Sequence, residues 1–114
     1  MAKEDYLRKI YYLTDEGESS TSTSELAEAM DVTNASASEA VKKLEGDTLV
    51  CRAAYKGFTL SPIGKDEASK LAEKNERLEE IFREASVSSP EEEADRVEHC
   101  ISIEALESLE EKIL

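Results

Sequence analysis

Three features of this sequence predict a mainly α-helical chain, an N-terminal winged helix-turn-helix followed by an α-helical dimerisation region. From Ser22 to Leu44, two short apolar stripes recur at helical spacing on either side of a break: Leu26, Ala27 and Met30, then Ala37, Ala40, Val41 and Leu44. Directly after them, Leu49 to Leu60 changes to strand-like residues around Lys56-Gly57, the pattern of a hairpin. From Pro62 onward the helical period returns. The 114 residues suit one domain, or a compact domain with a helical extension, and divide at 1–61 and 62–114.

Ala2 to Asp15 opens the chain as a helix, with Leu7, Ile10, Tyr11 and Thr14 along one face and Tyr6 and Leu13 flanking it. A polar loop through Glu16-Gly17-Glu18 and Ser19 to Ser24 ends in helix-starting residues. In the break, Asp31 stops one helix, Val32 plugs the gap, and Thr33 can N-cap the next by accepting a bond from a free first-turn amide. The second helix then exposes Asn34, Ser36, Ser38 and Glu39 early and Lys42 and Lys43 late. Small polar side chains at a helix N-terminus suit base edges in a major groove, and later lysines suit phosphates. Thr33, Asn34, Ser36, Ser38, Lys42 and Lys43 are therefore the candidate DNA contacts on this helix. Ala35 and Ala37 keep the surface small, which leaves DNA shape a large share of any preference. A helical hairpin inside any small α domain accounts for the same residues, so the next segment decides.

Glu45-Gly46-Asp47-Thr48 is a helix stop, and Leu49 to Tyr55 and Phe58 to Leu60 read as paired strands. Helix, helix-turn-helix and hairpin in this order is the layout of a winged helix, with Arg52 and Lys56 placed to meet phosphates. Ser61-Pro62 then starts a helix running to about Ala85, with Pro at the first helical position, where its missing amide is no loss. Leu71, Leu78 and Phe82 form its buried stripe, and Asn75 interrupts it. A core or interface amide suits Asn75 better than a metal ligand, because its carbonyl oxygen binds metal weakly. So long a helix beside a small winged unit supports a homodimer, the symmetry that palindromic DNA favours. Ser89-Pro90-Glu91-Glu92 begins a further helix with a capping box, and Ser102 caps a last one carrying Leu106, Leu109 and Ile113.

The net charge of −13 is unlike a nucleic-acid binder until it is divided. Residues 1–32 carry three Lys/Arg against eight Asp/Glu, residues 33–65 five against three, and residues 66–114 six against sixteen. The net-positive segment is the one holding the second helix and the hairpin, as a DNA face on an otherwise acidic chain requires. The acid excess suggests an extreme halophile's cytoplasm, where counterion release would help DNA binding less. No apolar run has membrane-spanning length and no signal-peptide pattern occurs, so a cytoplasmic protein without membrane partners is expected. Two cysteines, Cys51 and Cys100, are too few for a disulfide framework.

Asp95, Glu98 and His99 stand at i, i+3 and i+4, two carboxylates and the chain's single histidine within one helical turn. Oxygen and imidazole donors of this kind suit Mn(II) or Fe(II) better than a structural zinc site. A solvated acidic face accounts for the same pattern. Three functions stay open on these residues: a metal-activated regulator, a winged-helix regulator without metal control, and a metal-dependent hydrolase. The last lacks a nucleophile motif and a phosphate loop.

The segments EDYLRKIYYL, TSELAEAMDVTNASASEAVKKLEGDTLV, YKGFTLSPIG and EADRVEHCIS resemble the diphtheria-toxin-repressor and manganese-transport-regulator (DtxR/MntR) group over nearly the whole chain. The most specific is the last, a Glu-His pair preceded by an acid three residues earlier. The resemblance implies a dimeric regulator, without enzymatic activity, that binds operators of metal-uptake genes as a repressor when Mn(II) or Fe(II) is bound. It implies Asp5, Asp95, Glu98 and His99 as the metal ligands, Asp5 joining the DNA-binding unit to the helical region. Glu79 matches an acid of a second, ancillary site. Three positions depart: Asn75 stands where the family has a histidine, Arg8 where manganese-binding members have a second acid, and Glu91 where an ancillary histidine would be. A second metal site is therefore disfavoured, and Arg8 is expected to pair with a nearby carboxylate. The 114 residues end before the point where the family's SH3-like C-terminal domain is expected, whether this member lacks that domain or the sequence is a piece of a longer chain.

Overall fold

The computed structural model describes residues 3–53 and 57–114. Its elements in chain order are helices α1 (Lys3–Leu13), α2 (Thr23–Met30) and α3 (Asn34–Gly46), strands β1 (Val50–Arg52) and β2 (Phe58–Leu60), and helices α4 (Pro62–Glu84), α5 (Pro90–Val97) and α6 (Ile103–Ile113). They fall into two units, Met1–Leu71 and Ala72–Leu114, with α4 beginning in the first and continuing into the second. The mainly helical class with an N-terminal winged helix-turn-helix is the one the sequence predicts. Among the described residues, no helix is long and apolar enough to cross a membrane.

In the first unit the helix-turn-helix is set by its caps. The Ser22 hydroxyl accepts from the Glu25 amide at 3.1 Å and that of Thr33 from the Ser36 amide at 3.1 Å, each satisfying an otherwise orphaned donor. Between them Asp31 takes a left-handed conformation, φ 56°, which ends α2 and which a short acidic side chain tolerates. The inward side chains Leu7, Ile10, Leu26, Ala37, Val41, Leu44 and Phe58 are at most 1 % exposed and form one core. Full burial of a large apolar side chain such as Leu, Ile or Phe contributes about 1.5–3 kcal/mol. Ala37 belongs to this core, as its place in the apolar stripe predicts, and so does not join Ala35 in shaping the exposed surface of α3.

The hairpin is shorter than the sequence pattern. β1 pairs antiparallel with β2, with Cys51 opposite Thr59, and ends at Arg52; the expected strand residues Ala54 and Tyr55, and Lys56 at the turn, lie outside the described residues. Leu49 is buried but spends its backbone elsewhere, donating to the Leu44 carbonyl at 2.9 Å and accepting from the Ser61 amide at 3.0 Å. The helix stop falls within Glu45-Gly46-Asp47-Thr48 as expected: α3 ends at Gly46 and Thr48 makes the left-handed turn at φ 64°. Thr21, read as loop, is buried and bridges Phe58, exchanging two backbone bonds of 2.9 Å. A single bridged residue has no period to betray it. Gly57, at φ 81°, is required here, since a Cβ would fall on the Thr21 carbonyl oxygen.

The second unit is built on a smaller core of Leu78, Ile81, Ala94 and Leu106, with Phe82, Val97 and Ile101 packed on it. The buried stripe of α4 is rotated from the expected Leu71, Leu78 and Phe82: Ala68, Ala72, Asn75, Leu78 and Ile81 point inward, and Leu71 and Phe82 are half-buried. Small alanines let neighbouring segments approach, so helix position rather than side-chain size selects the buried face. Pro90 starts α5 as expected, but the Ser89 side chain makes no capping bond. The Ser102 hydroxyl caps α6 through the Ala105 amide at 3.1 Å. Arg77 of α4 clamps α6 with two parallel bonds to Glu110, at 2.9 and 2.6 Å.

Candidate functional site

Helical geometry divides α3 into two faces. Ala37, Val41 and Leu44 point into the core, which turns Ala35, Glu39, Lys42 and Lys43 to solvent. Of the candidate contacts, Thr33, Asn34, Ser36, Lys42 and Lys43 are exposed, and Ser38 is half-buried at the edge of this surface. Thr33 also donates its hydroxyl to Ser36 Oγ at 3.0 Å, so it serves the start of the helix first. The N-terminal amides of α3 and the late lysines lie along one exposed face, a sequence of donors that a nucleic-acid backbone can meet. Arg52, exposed on β1, is held by Glu45 of α3 at 3.2 Å, which fixes a cation beside the same helix. Lys56 lies outside the described residues.

Glu39 is exposed, as the sequence reading places it. It lies opposite the core stripe, near the middle of the exposed face, and its acidic type made it an unattractive DNA contact. The available signal was angular: Val41 and Leu44 fix the inward direction, and Glu39 follows from it by helical spacing.

A second constellation lies within the second unit. Asn75 of α4 is 4 % exposed and Glu98 3 %. The Asn75 side-chain amide donates to Asp95 Oδ1 at 3.0 Å and to Glu98 Oε2 at 3.1 Å. His99 Nε2 stands 3.6 Å from Glu98 Oε1, its side chain about one-third exposed (31 %). α5 ends at Val97, yet Glu98 keeps helical dihedrals and donates its amide to the Ala94 carbonyl, so the turn carrying Glu98 and His99 continues the spacing of Asp95. The Asn75 amide thus joins the two carboxylates, and the imidazole stands beside the one withdrawn from water; donors of these types suit hard or borderline divalent cations. The donor set fits Mn(II) or Fe(II). Glu79 is one turn beyond Asn75 on α4, and Glu91 faces Arg83, 3.7 Å away, on the surface. In the first unit Asp5 lies on α1 with Arg8 Nη2 at 3.7 Å from its Oδ1, the carboxylate pairing expected of Arg8.

A winged helix-turn-helix followed by helices bearing a carboxylate and imidazole cluster is the architecture of a ligand-gated DNA-binding regulator. Residues 1–58 match the model of the iron dependent repressor N-terminal DNA-binding domain. The chain is 31% identical over 108 residues to the HTH-type transcriptional regulator MntR of Geobacillus thermodenitrificans (strain NG80-2), covering 93% of this chain and 76% of that protein. Among solved structures it is similar to the manganese regulator SloR, with a TM-score of 0.80 and 33% identity over 98% of this chain and 54% of that one. A manganese-dependent transcriptional repressor in complex with manganese gives 0.79 at 25% identity, over 98% of this chain and 52% of that one. The chain spans about half the length of these two solved chains. It belongs to the DtxR/MntR family of metal-dependent regulators. That family consists of DNA-binding transcriptional regulators and not of enzymes, which removes the hydrolase reading of Asp95, Glu98 and His99.

Proposed function

We propose that the chain is a homodimeric transcriptional repressor of metal-uptake genes, activated by Mn(II) or Fe(II), with Asp5, Asp95, Glu98 and His99 as its metal ligands. The observation that carries this reading is the buried Glu98 carboxylate set between the Asn75 amide and the His99 imidazole. A bound divalent ion supplies positive charge that neutralises the acids and draws their side chains to one centre. Asp95, Glu98 and His99 present their donor atoms from one turn, so little chain entropy opposes their gathering. Asp5 belongs to α1, which packs on both α2 and α3, so ordering at Asp5 is felt by the helix that faces DNA. Thr33, Asn34, Ser36 and Ser38 then address the major groove, and Lys42, Lys43, Arg52 and Lys56 the phosphates. Exposed Ile103, Leu109 and Ile113 on α6 offer an apolar face for a second copy.

One observation favours a regulator with metal-independent binding. Asp5 already has Arg8 beside it, and Asp95 and Glu98 already share the Asn75 amide, so these acids have compensation without an ion. A gel shift on operator DNA separates the two, with Mn(II) or Fe(II), with chelator, and with His99→Ala. Binding that requires metal and is lost in His99→Ala is expected; equal binding under chelation leaves the metal-independent regulator. Cross-linking or sedimentation in the same buffers tests the dimer.

A further inference from the structure

A groove of about 740 Å³ runs along one side of α3, between that helix and the first turn of α1. Lys3 and Tyr6 of α1 line it together with Ser36, Glu39 and Lys43 of α3 and Asp47 just beyond that helix. Helical spacing places Ser36 and Lys43 on this flank of the exposed face, and Ser38, Lys42 and Glu45 on the other, with Glu39 between them. Each flank carries a cation that another element supplies and an acid from the end of α3 holds. On the far flank Arg52 of β1 bonds Glu45 at 3.2 Å; on the groove flank the Lys3 ammonium bonds Asp47 Oδ2 at 3.4 Å. A helix laid in the major groove of B-DNA, about 12 Å wide, has a phosphate strand on either side of it. Cations on both flanks suit both strands. Lys3 is exposed, and its ammonium has three N–H donors, so it can keep Asp47 and still donate to a phosphate oxygen. The groove is also continuous with the α3 face of the DNA-binding domain that residues 1–58 match. Its lining holds two acids as well as two lysines, so it has no net charge with which to capture a free anion. A strand of a duplex already seated on α3 needs no such capture.

We infer that Lys3, held by Asp47, is a DNA phosphate contact additional to Lys42, Lys43 and Arg52, on the flank of α3 away from Arg52, so that one chain touches both strands of the duplex. The inference rests on the reading above of α3 as the helix that faces DNA. Its test is binding to a duplex that the parent chain has selected from random sequence, followed by fluorescence anisotropy at several salt concentrations with Mn(II) in every sample. The chains compared are the parent, Lys3→Ala, Lys3→Arg, Asp47→Asn and Lys42→Ala, with folding followed by circular dichroism. One phosphate contact contributes roughly 0.9 to the slope of log affinity against log salt, and Lys3→Ala is expected to lower its magnitude by about that amount. Binding is expected to weaken about three- to tenfold, the measure of one hydrogen bond, and Lys3→Arg to retain both affinity and slope. Asp47→Asn separates a DNA contact from mere attachment of α1 to α3. It removes an acid from beside the strand, so affinity is expected to hold or rise, whereas a purely structural pair weakens binding alike when either partner is changed. Equal losses in Lys3→Ala and Asp47→Asn, or an unmoved slope in Lys3→Ala, overturn the inference. Single phosphates of the probe replaced by uncharged methylphosphonates give a second readout. At the phosphate that Lys3 meets, the parent should lose affinity and Lys3→Ala should not; the same sensitivity in both chains at every phosphate overturns the role of Lys3. If Lys42→Ala also keeps the parent's affinity and slope, the α3 face itself is lost from the reading, an outcome distinct from failure of Lys3 alone.

Discussion

Gly64 illustrates how a residue with no chemistry can hold a fold together. It sits in the first turn of α4 where a Cβ would fall on the Leu49 carbonyl oxygen, a backbone atom that cannot step aside. Leu49 is also the acceptor for the Ser61 amide, so the start of α4 meets the segment between α3 and β1 at this point. Gly64→Ala is expected to cost about 1–3 kcal/mol in denaturant unfolding, the range for forcing volume into packed structure. A variant as stable as the parent would mean that α4 shifts freely. Glu39 is the residue on which specificity is best tested. Glu accepts from cytosine N4 and Gln pairs with adenine N6 and N7, so Glu39→Gln should move one base position of a selected operator from cytosine toward adenine. Identical selected sequences for parent and variant would place Glu39 clear of the bases.

At the scale of elements, α6 is joined to α4 by a two-bond ion pair. One of its side chains, Leu106, is fully buried, while Ile103, Leu109 and Ile113 are exposed, so the fork between Arg77 and Glu110 carries much of its attachment to α4. That bond, with the positive guanidinium behind it, holds the Glu110 carboxyl below its ordinary value of 4.5 despite some desolvation, and raises Arg77. A depressed carboxyl pKa means the folded state holds its proton less tightly than the unfolded chain. The contribution is therefore complete above the unfolded value near 4.5 and is lost as pH falls through the lower folded value. Arg77→Met should lower the melting temperature at pH 7 and narrow its gap to the parent as the pH drops below 4.5. Parallel melting curves for the two across that range would remove the fork from the stability of α6.

For the whole molecule, charge is the governing quantity. A chain of net charge −13 approaches DNA against its own field, and the exposed cations on the described part of the proposed interface are Lys42, Lys43 and Arg52. Each phosphate neutralised contributes roughly 0.9 to the slope of log affinity against log salt, so these three imply a slope of about −3 per chain. Lys42→Ala should reduce its magnitude by about 1, read from anisotropy titrations at several salt concentrations, with affinity falling alike on all sequences. An unchanged slope would move Lys42 off the backbone.

Much of this was legible in one dimension. The helix-turn-helix with its Thr33 cap, the hairpin after it, the Pro-initiated α4 and the spacing of Asp95, Glu98 and His99 are local patterns, and periodicity and capping chemistry report them directly. The sequence by itself determined those elements and the residue types available for a cation. Tertiary structure decided which face of α4 is buried, that Thr21 joins the sheet through Phe58, and that Asn75 reaches two acids twenty and more residues away. The physical reason is common to all three. Each depends on what a neighbouring segment places opposite a side chain, and neither helical period nor residue type specifies a partner that is distant along the chain.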